Sequence, residues 1–459
     1  MSSPFNRRDF TKAALAGTAA GMAPAVSHAG GILGANDRVR IGCIGVGYRG
    51  VQVLNAFLTH KDAQIVALCD VYEPYLNGHF DQIHPHFKEL GYVVPSRLPD
   101  FGGPVERHKD FRRLLDHKGI DAVIIATPDH WHAIQTILAC EAGKDVYCEK
   151  PLSLTVREGR RMVEAARKHD RVVQVGTQRR SSKLYTQLAE LVQSGAIGKV
   201  TVARAGLTDN MWPNGIGKVS DSPPPEGLDW DMWLGPRPER PFNLNVLPYK
   251  FRWWSLYSSQ MANWGAHYLD AMRWVLHETA PSSLSAHGGV FAVHDCRTIP
   301  DTAEVIFEHA SGVLTIFSTF EASGQSLWRG PGEIEFRGTL GTVYATMNKI
   351  EIIPERGGRF QDRKPRMKPM VLSNHDGYGE LDNAHARNFL DCVKSRQKPN
   401  CDIEEGHRST TYALLANIAL ATKARLDWDA QAERFTNNDT ANELLDYEYR
   451  QPWSHTQRA

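Results

Sequence analysis

The chain has 459 residues, 42% of them hydrophobic and 23% charged, with a net charge of +1 at neutral pH. That length and balance suit two or three globular domains with sizeable cores, and near-neutrality disfavours nucleic acid or an anionic membrane as a partner. Seven cysteines without a C-x-x-C pair make neither a disulfide framework nor a zinc site, so no metal is expected and buried thiols are the better reading.

Residues 1–29 read as an address. Asn6-Arg7-Arg8-Asp9-Phe10-Thr11-Lys12, a mild apolar run to Val26 and the exit Ser27-His28-Ala29 resemble a twin-arginine signal. That resemblance implies handling by the twin-arginine export machinery, cleavage near Ala29 and a periplasmic location. The rest of the chain carries −1, and no later apolar run is long enough to span a bilayer.

Val39, Ile41 and Ile44 form a short buried strand, followed by Gly45-Val46-Gly47-Tyr48-Arg49-Gly50 and a helix from Val51. This is G-x-G-x-x-G between strand and helix. Gly45 suits a tight turn, Gly47 the close approach of a pyrophosphate, and Gly50 the packing of helix on strand. A second strand, Gln64 to Leu68, leads to Asp70, twenty residues after Gly50, where a carboxylate suits the ribose hydroxyls of NAD. Val71 and Tyr72 follow it, with no Arg or Lys to favour NADP.

After an insertion, roughly Tyr75 to Pro104, that reads as surface-lying, the alternation resumes. Asp110 to Leu115 is followed by the strand Ala122–Ala126, and a helix runs from His132 to near Gly143. Asp145 to Cys148 is the next strand. Thr155-Val156-Arg157-Glu158 is a capping box opening another helix, and Arg171 to Val175 is a further strand. Near-continuous apolar strands between helices predict a doubly wound parallel sheet of Rossmann type, an NAD-binding domain over residues 38–176.

Residues 177–459 are expected to form a substrate-binding α+β domain. Its loop at 209–260 is rich in Pro and Trp and suits a lid or substrate wall; seven of the eleven tryptophans lie between Trp212 and Trp274. A helix follows from Met261 to Leu276. Strand-like runs then succeed one another, among them Ala303–Phe307, Val313–Phe320 and Glu333–Arg337, where Glu333, Glu335 and Arg337 alternate with apolar residues as in a half-exposed, largely antiparallel open sheet. Helices at Glu380–Val393 and Glu404–Thr422 close the chain.

Three further stretches carry chemistry: Thr127-Pro128-Asp129-His130-Trp131-His132, Glu149-Lys150-Pro151, and Asn263-Trp264-Gly265-Ala266-His267-Tyr268-Leu269-Asp270. The first two leave strand ends at the ligand-binding edge of such a sheet. In this order they resemble the Gfo/Idh/MocA family of sugar and cyclitol oxidoreductases. Leu228 to Pro236 and the tail from Asn388 to Ser409 resemble its exported bacterial branch.

The resemblance places Lys150 and His267 beside the nicotinamide. A histidine can take the proton of a sugar hydroxyl, and an ammonium can hold the oxygen as a carbonyl forms. It adds Thr127, Pro128, His132 and Glu149 to the glycine loop and Asp70 as cofactor contacts. The family pattern is Asp-x-x-x-His, and here Asn263 takes the Asp position: an amide can orient an imidazole but adds no charge. Asp270 or Tyr257 could then share the base role. Arg179 and Arg180 read as substrate contacts or solvated arginines, and Trp212, Trp253, Trp254 and Tyr257 as sugar-stacking rings or aromatic packing.

The expected function is hydride transfer between a carbohydrate substrate and NAD, loaded before export and tightly bound. The alternatives are an NAD-dependent glycoside hydrolase or epimerase using transient oxidation, and a non-catalytic sugar- or cofactor-binding protein. A homo-oligomer formed through the open sheet is also expected.

Overall fold

The computed structural model describes residues 38–91, 94–327, 332–374 and 377–454, so the export-signal reading lies outside the described residues. Six strands form the first sheet: β1 (Val39–Ile44), β2 (Ala63–Cys69), β3 (Glu106–His108), β4 (Ala122–Ile125), β5 (Asp145–Cys148) and β6 (Val173–Val175). They pair in parallel in the order β3-β2-β1-β4-β5-β6, so the winding reverses between β1 and β4. Ligands of open α/β sheets bind at such a reversal. β3 is three residues long and polar in Glu106 and Arg107, which hid it from a hydrophobic-run reading.

Among the described residues, seven helices have ten residues or more: α1 (Tyr48–Leu58), α2 (His132–Glu141), α3 (Val156–Lys168), α4 (Lys183–Gln193), α5 (Gly265–Leu276), α6 (Tyr378–Ser395) and α7 (Ile403–Thr422). Side chains alternate across the first sheet. Cys43, Ile124 and Tyr147 pack with Val53, Leu54 and Phe57 of α1, whereas Ile44, Val123, Ile125 and Cys148 pack with Ile134 of α2 and Met162 of α3. The expected capping box is present: Thr155 accepts from the Glu158 N–H, and Glu158 accepts from the Thr155 N–H.

The α1 face is completed from far down the chain. Phe389 of α6 packs edge-on against Phe57 (5.8 Å) and Tyr147 (6.0 Å). Arg387 and Lys394 of the same helix bind Asp62 at 2.7 Å and 2.5 Å. On the other face Trp453 packs at 4.8 Å from Trp131. The chain therefore returns to its first sheet after building the second.

The second sheet has eleven strands: β7 (Val200–Asn210), β8 (Ser283–Gly289), β9 (Thr302–Glu308), β10 (Leu314–Phe320), β11 (Ala322–Ser323), β12 (Ile334–Gly338), β13 (Gly341–Ala345), β14 (Lys349–Pro354), β15 (Met370–Ser373), β16 (Leu426–Asp429) and β17 (Arg434–Phe435). Among the described residues only β7 and β10 pair in parallel in this sheet; the other pairs are antiparallel, as expected. α4, α5 and α7 cover one face through Leu188, Leu269 and Leu415.

Three expectations need correction. The insertion after β2 is anchored rather than surface-lying, because Tyr75, Leu76, Ile83 and Phe87 are buried against Val53 and Leu68. Glu335 on β12 is fully buried, not half-exposed, because Arg204 and Arg337 pair with it. The helix expected from Met261 breaks at Trp264 into a short turn, Gln260–Asn263, and α5.

Candidate active site

A cavity of about 610 Å³ opens at the C-terminal ends of β1, β4 and β5. The glycine loop, Asp70, Thr127, Pro128, Asp129, Glu149 and Lys150 line it from the first half of the chain. Tyr249, Arg252, Asn263, Trp264, His267 and Asp382 line it from the second.

The glycine loop is built by close approach. Gly45 has φ +88°, and a Cβ there would meet the Ala126 carbonyl oxygen at 2.7 Å; a Cβ on Gly50 would lie 2.0 Å from the Gly45 carbonyl oxygen. A Cβ on Gly47 would touch only the Tyr75 ring, at 3.6 Å, and would otherwise fill the cavity. α1 starts there with no side-chain cap and no acidic residue in its first turn, leaving donors and a positive dipole end toward the cavity. Asp70 accepts from the Val46 N–H (2.8 Å) through Oδ2 and from the Tyr72 N–H (2.9 Å) through Oδ1. Burial pushes its carboxyl up to about 6, so it remains largely ionised at neutral pH with lone pairs to spare. These residues fit a dinucleotide, with pyrophosphate at the helix start and ribose hydroxyls on Asp70.

Lys150 and Arg252 meet at Asn263. Lys150 Nζ donates to the Asn263 backbone carbonyl (2.7 Å) and to its Oδ1 (2.9 Å), and Arg252 Nε donates to the same Oδ1 (3.1 Å). The Arg252 guanidinium lies 4.1 Å over the Tyr249 ring. Burial, together with the Arg252 charge, pushes Lys150 down to about 8. His267 lines the same cavity, and its ring makes no hydrogen bond to a described residue. Burial and the cationic Lys150, Arg179 and Arg49 hold it well below the usual imidazole range, so it is neutral. Asp129 is buried beside this group, accepts a hydrogen bond from the Ser258 hydroxyl, and has its carboxyl raised by burial. The corner thus combines a cationic donor with an unprotonated imidazole.

Several candidates hold other positions. Asn263 seats Lys150 rather than orienting His267. Arg49 lines the cavity, but its guanidinium bridges Glu149 (2.8 Å) and Asp382 (2.9 Å), tying the glycine loop to β5 and α6. His132 lies behind the wall: Nδ1 and Nε2 donate to the Pro151 and Thr127 carbonyls at 2.7 Å and 2.9 Å. Two acceptor-only partners require an imidazolium, and despite burial the Cys148 and Asp129 surroundings raise it to about 9. It clamps the two loops together. Arg179 is buried under Tyr268 (4.7 Å) and bound to Glu333 (2.7 Å), and Arg180 to Asp270 (2.8 Å), so neither reaches the cavity.

The aromatic wall also differs from expectation. Trp254 donates to the Asn245 carbonyl (2.8 Å), and Tyr257 is fully buried against Trp233 (4.8 Å); neither lines the cavity. Tyr249, Phe251 and Arg252 of the same loop line it instead. Asp129 stood in a singled-out stretch, but nothing local marked Arg252 or Asp382.

A six-stranded doubly wound sheet with a dinucleotide loop and an acidic ribose partner at its reversal point defines an NAD-binding oxidoreductase fold. The chain belongs to the Gfo/Idh/MocA family: the profile described as oxidoreductase family, NAD-binding Rossmann fold, matches residues 39–177, and that of its C-terminal alpha/beta domain matches residues 182–455. Similar proteins include the myo-inositol 2-dehydrogenase of Thermotoga maritima, 25% identical over 84% of this chain and 97% of that protein. A glycosyl hydrolase family 109 protein of Shewanella baltica is 27% identical over 45% of this chain and 46% of its own length. The solved structure of a levoglucosan dehydrogenase with NADH and levoglucosan superposes with a TM-score of 0.62 at 17% identity, over 85% of this chain and 99% of that one.

Proposed function

We propose that the protein oxidises a hydroxyl-bearing carbon of a sugar or sugar derivative at the expense of NAD. The observation that carries this reading is that the Lys150 ammonium and the neutral His267, whose ring has no hydrogen-bond partner among the described residues, line one cavity with the glycine loop and Asp70. Lys150 donates to the substrate oxygen and stabilises negative charge on it; His267 takes the hydroxyl proton, which its cationic neighbours keep it ready to do. When bound, the oxidised nicotinamide supplies the electron-pair acceptor for the carbon that loses its hydrogen. Arg252 and Tyr249 border the same space and suit further hydroxyls and a ring face. The myo-inositol and levoglucosan dehydrogenases support a carbohydrate substrate.

The twin-arginine resemblance at residues 1–29 adds a condition. That route carries folded proteins, so the cofactor is loaded in the cytoplasm and retained in the periplasm, where the nicotinamide is restored within each cycle. A second substrate meets that need, and so does a reaction that oxidises and re-reduces one molecule. The latter gives the second reading, a redox-neutral hydrolase or epimerase, favoured by the family 109 relative. A second copy docking through the open sheet, where Ile353 of β14 and Val371 of β15 are exposed, is the proposed oligomer contact.

The test is purification of exported protein without added nucleotide, release of its cofactor by denaturation, and turnover on a sugar panel. Bound NAD with a keto-sugar or lactone product supports the oxidoreductase. A free sugar without net NADH supports the second reading. An empty, weakly binding site with no product overturns both.

A further inference from the structure

Behind Asn263 runs a buried chain of hydrogen bonds that no cavity residue reveals. Asn263 Nδ2 donates to Gln260 Oε1 (3.1 Å), and Gln260 Nε2 donates to Glu321 Oε1 (2.9 Å). Glu321 also accepts from Arg297 Nη1 (2.6 Å) and from Trp253 Nε1 (3.0 and 3.1 Å). Arg297 is held in turn by Asp295 (2.9 Å). Asn263, Gln260, Glu321, Arg297 and Trp253 are all buried.

A side-chain amide can ordinarily face either way, its oxygen and nitrogen exchanging places. Here both ends of the chain forbid the exchange. At the outer end Glu321 receives three donors; burial raises its carboxyl to about 7, and in the ionised form that prevails above that pH it takes the amide nitrogen of Gln260 and turns the Gln260 oxygen toward Asn263. At the inner end Lys150 and Arg252 have no acceptor atoms, so they take the Asn263 oxygen and turn its nitrogen toward Gln260. Each bond runs in one direction, from the two cations to the buried carboxylate.

We infer that Gln260 and Glu321 are positioning residues that fix the polarity of the Asn263 amide and thereby hold Lys150 for its reaction. The inference rests on the role proposed above for Lys150. It also explains how an asparagine serves where the family pattern has aspartate. A carboxylate at 263 would claim the Gln260 amide nitrogen and leave the Gln260 oxygen facing the Glu321 carboxylate. With Gln at 321 the conflict disappears: its amide nitrogen meets the Gln260 oxygen, and its oxygen still accepts from Arg297.

The experiment is a double-mutant cycle on the full chain with Asn263→Asp, Glu321→Gln and both together. It reads the melting temperature, turnover, and the pH dependence of Lys150 acetylation by acetic anhydride, followed by mass spectrometry. Glu321→Gln alone puts an amide nitrogen where either Arg297 or Gln260 needs an oxygen, so the chain carries one donor-to-donor contact and the Asn263 oxygen is held less firmly on the two cations. Lys150 then acetylates at lower pH, and turnover falls about ten-fold, the worth of one hydrogen bond to a charged group. Asn263→Asp alone lowers the melting temperature, and the double variant regains it while acetylating at higher pH than the parent. If Glu321→Gln fails to fold, Gln260→Met breaks the same chain and predicts the same shift in Lys150 acetylation. Additive melting temperatures, or an unchanged Lys150 acetylation profile in Glu321→Gln, overturn the inference. Should Lys150 prove dispensable for turnover, the reading of its role fails while melting and acetylation still decide the relay.

Discussion

The ammonium of Lys150 donates to both the backbone carbonyl and the side-chain oxygen of Asn263, at 2.7 Å and 2.9 Å. Residue 263 is therefore the seat of the lysine, and the imidazole four residues later makes no hydrogen bond to a described residue. Two acceptors on one residue fix the ammonium's position while leaving its third proton for a ligand.

Lys150→Ala should leave the fold and the nucleotide content intact and lower turnover by about two orders of magnitude, the scale of removing one oxyanion-type donor. The check is kcat beside nucleotide released on denaturation. Near-parental turnover would remove Lys150 from the chemistry.

The pH profile of kcat/KM should lack an imidazole limb near 6.5, because His267 is already neutral there. It should fall on the alkaline side near 8, where Lys150 loses the proton it donates. Asn263→Asp places a carboxylate against that ammonium and favours its charged form, so the alkaline limb should move to higher pH. An acid limb that moves instead, with the alkaline limb unchanged, would return residue 263 to the imidazole.

Asp70→Asn should weaken NAD by about ten-fold through loss of a charge-assisted acceptor, and should weaken NADP less, because the repulsion of a 2′-phosphate goes with the charge. Calorimetric titration of both nucleotides measures it. Tighter binding of NADP than NAD to the parent protein would contradict the selectivity.

Asp62→Asn should destabilise the contact of α6 with the first sheet, by about 1–2 kcal/mol given the partial exposure of Arg387 and Lys394. These two cations hold the Asp62 carboxyl below its ordinary value despite burial. The stabilisation is therefore complete above the unfolded carboxylate pKa and is lost as pH falls below it. Urea unfolding at pH 7 and pH 3 should show a difference between parent and variant that shrinks at the lower pH.

The N-terminal half was legible because its signals are local. A glycine that must take φ +88°, a strand-to-helix step and a carboxylate twenty residues on all lie within one βαβ unit, where chain spacing sets spatial spacing. Lys150 stood out for the same reason, following a buried strand. The aromatic loop misled because its many rings carry no sign of direction: Tyr257 and Trp254 turn into the core, while Tyr249 and Phe251 reach the cavity.

The sequence by itself determined the doubly wound sheet, its dinucleotide loop and the residue types at the reactive corner, because periodicity, turn stereochemistry and short motifs act over a few residues. Only the tertiary structure decided the partners. Arg49 is committed to Glu149 and Asp382, α6 lies on the first sheet through Asp62, and the Asn263 amide is oriented by a carboxylate 58 positions away. Those contacts join segments whose separation along the chain carries no periodic signal, and their hydrogen-bond directions are set only when burial removes water as a competing partner.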